Sequence, residues 1–304
     1  MSEYLPVALA PGKSVCQQPV GKILSCIGQA NPVYNQLYLP IRVIRGKSVC
    51  HQQQGETVRL LCIGCQVLAR AIYLCAATSP HIVDVELLRR GLHNTPNDLR
   101  AQLQASIDSS AGLGYDAIVM AYGLCGQATA GLTAPGVSLV VPRAHDCITL
   151  FLGSRERYQE QFNNQPGTYW YAQDYIERDD GSGASLAMGS GSDTDLKAVY
   201  QEYVDKYGQD NADYLMQVMG AWQAHYQRAA YIDMGVGDGS AVEERARAEA
   251  TRRGWTFERV AGDLALIRRL LAGDWEKDFL VLEPGQRVTM TYDDNVIGCA
   301  LVEA

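Results

Sequence analysis

The chain has 304 residues, 47% hydrophobic and 20% charged, with a formal net charge of −8. That length and apolar content suit a large buried core or two α/β lobes and exclude an intrinsically disordered chain. The acidic balance argues against a nucleic-acid partner, whose phosphates call for Lys and Arg gathered on one face.

No apolar run approaches a bilayer span, and no basic segment leads into a continuous apolar stretch at the start. No membrane association and a cytoplasmic location are therefore expected. There the nine cysteines favour metal or redox chemistry over a disulfide framework.

Residues 1–56 differ in texture from the rest. They carry Gly-Lys-Ser-Val-Cys twice, at Gly12–Cys16 and Gly46–Cys50. A repeated metal-binding or regulatory cysteine is one reading. A poorly ordered extension is the preferred one, because no amphipathic period persists. The Gly-Lys-Ser triplets lack the earlier glycine of a phosphate-binding loop.

Residues 57–165 read as a first α/β lobe. Strands are expected at Val58–Ile63, Ile82–Leu87, Ala117–Tyr122 and Ser138–Val141, with helices at Gln66–Ala77, Asn97–Gly112 and Ile148–Phe162. Continuous apolar strands alternating with helices indicate a parallel sheet covered on both faces. Residues 166–227 combine an aromatic stretch (Tyr169, Trp170, Tyr171, Tyr175), a Gly/Ser-rich loop over Gly181–Ser192 and bridging helices at Asp195–Tyr207 and Asn211–Gln227.

Residues 228–304 read as a second lobe. Its strands are Ala229–Met234, Thr256–Val260 and Asp278–Leu282, its helices Ala241–Arg253 and Leu264–Leu271, and a hairpin arm follows Val288 with its turn at Asp293-Asp294-Asn295. The fold class expected is thus α/β, two Rossmann-like lobes with mainly parallel sheets joined by a helical bridge.

Ligands of open α/β sheets gather at the carboxyl ends of the strands. Cys62 closes the first expected strand, Cys125 follows the third in Tyr-Gly-Leu-Cys-Gly, and Cys147 follows the fourth. In a flavodoxin-like strand order the first, third and fourth strands are neighbours, so the three thiols meet at one edge. Three thiolates suit zinc with an open position, or an iron–sulfur cluster. Helices starting beside them are expected to lower the thiol pKa values.

Cys62-Ile-Gly-Cys65 also reads as a dithiol redox motif at a strand-to-helix junction, with Cys65 alternatively a fourth ligand or a packing residue. Cys75 and Cys299 read as structural. In Pro142-Arg143-Ala144-His145-Asp146-Cys147, His145 is a candidate acid/base, Arg143 a candidate anion anchor, and Asp146 an orienting or capping residue. His81 and His93 read as capping or solvent residues, and His225 as ordinary. Gly123 and Gly126 flank Cys125 where a backbone can approach a ligand.

Asp233-Met234-Gly235-Val236-Gly237-Asp238-Gly239 fits the glycine-rich turn of S-adenosylmethionine-dependent methyltransferases, with Gly235 and Gly237 as the contacts. Too short a chain follows it for the usual sheet, so a plain glycine-rich loop is preferred and that cofactor is not expected.

With Cys62, Tyr-Gly-Leu-Cys-Gly at 122–126, Pro-Arg-Ala-His-Asp-Cys at 142–147, Leu-Gly-Ser at 152–154 and Pro-Gly-Thr-Tyr-Trp at 166–170, the chain resembles the domain of unknown function 1638 family over about residues 58–285. The resemblance implies no defined activity. It implies the company of corrinoid-dependent methyltransferase systems, hence a possible corrinoid or methyltransferase partner protein. The residues themselves point to a metal-thiolate protein acting on a small anionic or thiol-bearing substrate. A C-x-x-C oxidoreductase and a non-catalytic metal or corrinoid-partner binding module are the alternatives.

Overall fold

A computed structural model describes residues 56–134, 136–178, 200–201, 203–214 and 226–302. The expectations for the N-terminal extension, the Gly/Ser-rich loop, His225 and most of the bridging helices fall outside these residues; 203–207 and 209–214 are helical.

The central sheet holds β1 (Arg59–Cys65), β2 (Ile82–Leu88), β3 (Ala117–Ala121), β4 (Ser138–Pro142) and β8 (Phe279–Leu282) in the order β2-β1-β3-β4-β8. The first four run parallel, while β8 lies antiparallel to β4, with Leu139 opposite Leu282 and Pro142 opposite Phe279. Strands β3 and β4 are buried along their whole length. Such continuous burial is why they read as unbroken apolar runs. Leu99, Leu103 and Ile107 of α2 (Pro96–Ser109) join this core, as does Ile72 of α1 (Ala69–Ala77).

The second sheet is β5 (Thr168–Ala172), β6 (Arg228–Asp233) and β7 (Thr256–Ala261), all parallel. Helices α3 (Cys147–Leu152), α4 (Arg155–Asn164) and α5 (Gln173–Glu177) lie between β4 and β6 in the chain; α6 (Ser240–Arg253) and α7 (Ala265–Leu271) flank β7. A hairpin of β9 (Gln286–Met290) and β10 (Ile297–Leu301) closes the described chain.

The architecture is therefore mixed α/β with a mainly parallel central sheet and a second, three-stranded parallel sheet. The strand at Phe279–Leu282 returns to the first sheet instead of completing the second. The aromatic stretch, given no element in the sequence analysis, supplies β5, whose Thr-Tyr-Trp-Tyr run carries strong strand formers. One hydrophobic cluster unites β1, β3 and β4 with Ala172, Tyr175 and Ile232 of the second sheet's elements and Leu266, Ile267, Leu270 and Leu271 of α7. Ser48–Ala304 accordingly forms one compact unit.

The helix expected over Ile148–Phe162 is two helices. Gly153 takes φ 67° after α3, a left-handed geometry that stops the helix. Ser154 then caps α4 through the Arg157 N–H at 3.2 Å. No helix among the described residues is long and apolar enough to cross a membrane.

At the other rim of the sheet, Asp84 accepts from Arg59 Nη2 at 2.7 Å and from the Tyr115 hydroxyl at 3.0 Å. The Arg59 hydrogen bond, then Tyr115, holds its carboxyl below the usual value of 3.8. A depressed carboxylate pKa adds stability above the unfolded value, lost as pH falls through the folded one. Both partners are over two-fifths exposed, so Asp84→Asn is expected to cost at most about 1 kcal/mol at pH 7. Paired urea titrations at pH 7 and pH 3 check this; the difference should shrink at the lower pH.

Candidate functional site

A cleft of about 310 Å³ lies at the carboxyl ends of β1, β3 and β4. This is the edge where open α/β sheets take their ligands, and the volume matches a small molecule. Three thiols line it: Cys65, Cys125 and Cys147. Cys65 is the last residue of β1, Cys125 follows β3, and Cys147 begins α3 beyond β4.

The thiol contributed by the first strand is thus Cys65, and Cys62 is not at the strand end. β1 continues past Ile63 because Gly64 and Cys65 pair with Leu87 and Leu88 of β2. Cys62 is fully buried within the strand, beside the Ala121 backbone and near Cys75, and burial pushes its pKa up to about 12. The C-x-x-C pair consequently lies inside one strand rather than at a strand-to-helix junction. Three strand steps separate the two Cα atoms by about 10 Å, on opposite faces, beyond the reach of a disulfide. All the described cysteines, with Cys75 buried and Cys299 exposed, are free thiols.

The loop after β3 is locked to the loop after β4. Leu124 N donates to Ala144 O at 2.8 Å and Cys125 N to His145 O at 3.0 Å. Gly123 lies so close to Asp146 that a Cβ would come within 2.6 Å of its Cα; its role is this backbone approach. Cys125, Gly126 and Gln127 then take φ of 44°, 64° and 75°. Two of the three are not glycine, and such left-handed conformations cost energy that a packed surrounding must supply.

Asp146 caps α3, accepting from Ile148 N at 2.9 Å and Thr149 N at 3.4 Å. It also lines the cleft, and burial raises its pKa. Burial likewise raises the pKa values of Cys65, Cys125 and Cys147, with the neighbouring thiols adding to the last two. The lowering expected from helix ends is outweighed by desolvation, so the thiols are neutral near pH 7 unless a cation joins them.

Tyr122 stands among these thiols. It is 2% exposed, its hydroxyl has no hydrogen-bond partner beyond a weak contact with Cys65, and burial followed by the charges of Cys65 and Cys125 raises its pKa. A buried unsatisfied hydroxyl is costly, and marks a place where a ligand would supply the missing partner.

The cleft is also lined by Arg89, Arg90 and His93 and by the aromatic rings of Trp170, Tyr175 and Tyr226. Arg90 is 5% exposed, donates to Tyr175 O at 2.8 Å and stacks over the Tyr175 ring at 4.7 Å. His93 contacts Arg90 O at 2.8 Å, and burial lowers its pKa. Sequence reading passed over these groups: His93 looked like a capping residue, and nothing local tied Arg89 or Arg90 to the thiols.

Arg143 and His145 do not face the thiol cleft. The irregular turn past β4 sends them to a separate, more polar cleft beside the β9–β10 turn, while Asp146 alone of the triplet lines the thiol cleft. Gly235 and Gly237 lie on the β6–α6 loop, where Gly237 packs against Arg70 and Gln173. The cavity bordering that loop is about 20 Å³, room for about one water. Gly126 lies at the mouth of the thiol cleft.

A family model described as Protein of unknown function (DUF1638) matches residues 87–271. That span begins within β2 and contains Arg89, Arg90, His93, Cys125, Asp146 and Cys147. No curated protein and no solved structure matches the chain.

Proposed function

Because the chain belongs to the DUF1638 family of proteins of unknown function, we propose its role from the cleft itself: Cys65, Cys125 and Cys147 hold a soft metal ion, zinc by preference, next to a site for a small substrate. The observation that carries this reading is the meeting of three free thiols, from three neighbouring strand ends, on one enclosed cleft of molecular size. Thiolate sets of this kind suit zinc or an iron–sulfur cluster.

Neutral buried thiols make poor nucleophiles, and nothing in the cleft beyond Arg90 lowers a thiol pKa by its charge. A bound cation supplies that charge and releases the protons. Among the described residues no three His, Cys, Asp or Glu side chains stand ready around an ion. Binding would therefore require the thiols to move toward one another.

A small substrate would occupy the cleft beside the thiols and the arginines. Its apolar body would lie along Trp170 and Tyr226, with an anionic group toward Arg89 and Arg90. Tyr122 would donate its unused hydroxyl hydrogen to the reacting group, and Asp146 would accept a proton. A metal there supplies Lewis acidity and would keep a substrate thiol deprotonated. With the family's corrinoid association, this extends to methyl transfer with a corrinoid or methyltransferase partner protein. The C-x-x-C oxidoreductase reading loses its geometric basis, since its two sulfurs lie on opposite faces of β1.

Elemental analysis and an absorption spectrum of anaerobically purified protein test the proposal. Stoichiometric zinc is expected in the wild type, and its loss in Cys65→Ser, Cys125→Ser and Cys147→Ser. Cys62→Ala should retain the metal, with folding checked by circular dichroism. Iron with charge-transfer absorption would replace zinc by a cluster. Equal, negligible metal in the wild type and Cys125→Ser would sink the reading. A metal-loaded protein inert toward thiol and methyl-donor panels would leave a binding module.

A further inference from the structure

We infer that the cleft holding Arg143, His145 and Arg155 is a second ligand site, for a phosphate group. It is distinct from the thiol cleft, comprises about 350 Å³, and is floored by Thr149 and walled by the turn between β9 and β10.

Its two guanidinium groups are held by backbone oxygens. Arg143 donates to Asn295 O at 3.2 Å and to Ile297 O; Arg155 donates to Asp294 O. These carbonyls orient the cations, and the carboxylates nearby offset their charge only in part. Arg155 approaches one carboxylate, Asp278, only at 3.9 Å, and Asp278 is already bound by Arg269 at 2.6 Å. Burial, then the neighbouring Arg155 charge, lowers the Arg143 pKa. Two cations held close enough to repel gain when an anion comes between them.

A second, independent feature points the same way. Thr149 is 1% exposed, lines the cleft, and its hydroxyl has no hydrogen-bond partner. The His145 ring, stacked on Tyr158 at 5.9 Å, adds an imidazole at the rim. Two guanidiniums, a hydroxyl and an imidazole match the several oxygens of a phosphate better than the two of a carboxylate.

Three carboxylates border the cleft; Asp293 offsets part of the Arg143 charge, and two of the three are hydrogen-bonded elsewhere. Glu156 is taken by Lys277 at 3.2 Å and the Ser154 hydroxyl at 2.8 Å. Asp293 accepts from Asn295 N at 2.9 Å and Asn295 Nδ2 at 3.1 Å within its own turn. Asp294 is the remaining one, and it makes a sharp test.

Calorimetric titration of the full chain with inorganic phosphate and with glycerol 2-phosphate checks the site, one arm for the free ion and one for a monoester. Saturable binding of at least one is expected. Arg155→Gln should weaken it about tenfold or more, and Thr149→Val by a smaller factor. Asp294→Asn should tighten it several-fold, since it removes a like charge. Cys125→Ser should leave it unchanged, which separates this site from the thiol cleft. Absence of saturable binding by either probe, or identical affinity in Arg155→Gln and Asp294→Asn, overturns the proposal.

Discussion

Gly123→Ala should unfold the candidate site and lower the melting temperature by roughly 10 °C, the shift expected from a loss of about 3 kcal/mol or more in a domain of this size. The added Cβ would sit 2.6, 2.7 and 2.8 Å from Cα, N and C of Asp146. These are backbone atoms, so no rotamer change relieves the overlap. Nor can the backbone yield easily: next to the contact, Leu124 and Cys125 donate hydrogen bonds to Ala144 and His145.

Relief would require parting the two loops, which separates Cys125 from Cys147 and frays the Asp146 cap of α3. Thermal unfolding followed by circular dichroism reads the stability, and thiol accessibility to a maleimide reads the site. A variant as stable as wild type with protected thiols would show that the loops part easily. Gly126→Ala is the control. Its Cβ would meet only Pro96 Cγ, at 3.3 Å, although its φ of 64° adds strain, so a smaller loss is expected.

This loop contact marks where the sequence stopped being informative. The strand order β2-β1-β3-β4 was legible, because continuous apolar runs between helices narrow the possible topologies to a few. That order brings Cys125 and Cys147 together. The third thiol was misassigned by three residues, since the end of β1 is decided by pairing with Leu87 and Leu88, not by its own side chains. Gly64 fits only because it is hemmed in by Ile72, Ala121 and Leu87.

The return of β8 to β4 was equally hidden, as an apolar tetrad such as Phe279–Leu282 suits any buried strand. Arg143 and His145 look like neighbours of Cys147 in the chain. Their separation into another cleft depends on the orientation of single residues between β4 and α3, which no periodicity reports.

Asp174→Ala is expected to cost about 2–3 kcal/mol and to loosen the wall of the thiol cleft. The Asp174 carboxylate is 6% exposed; it accepts from Arg70 N at 2.8 Å, from the Arg70 guanidinium and from Arg178 Nε at 3.2 Å. It thus ties α5, after β5 of the second sheet, to the start of α1 beside the first. The Arg70 amide belongs to the first turn of a helix, where no intrahelical acceptor exists.

Removing the carboxylate leaves that donor and two guanidiniums short of a partner. Both arginines are about one-third exposed, so water and Glu177, bound to Arg70 at 2.6 Å, recover part of the loss; the cost stays below that of a fully buried pair. Asp174→Asn should cost less, because its amide oxygen still accepts from Arg70 N. The functional consequence follows from Tyr175, the next residue, which lines the cleft and accepts from Arg90. Denaturant melts of both variants give the energies, and zinc affinity by competition with a chelator reads the cleft. Alanine and asparagine variants of equal stability would show that the carboxylate oxygen at Arg70 N is not what joins the two sheets.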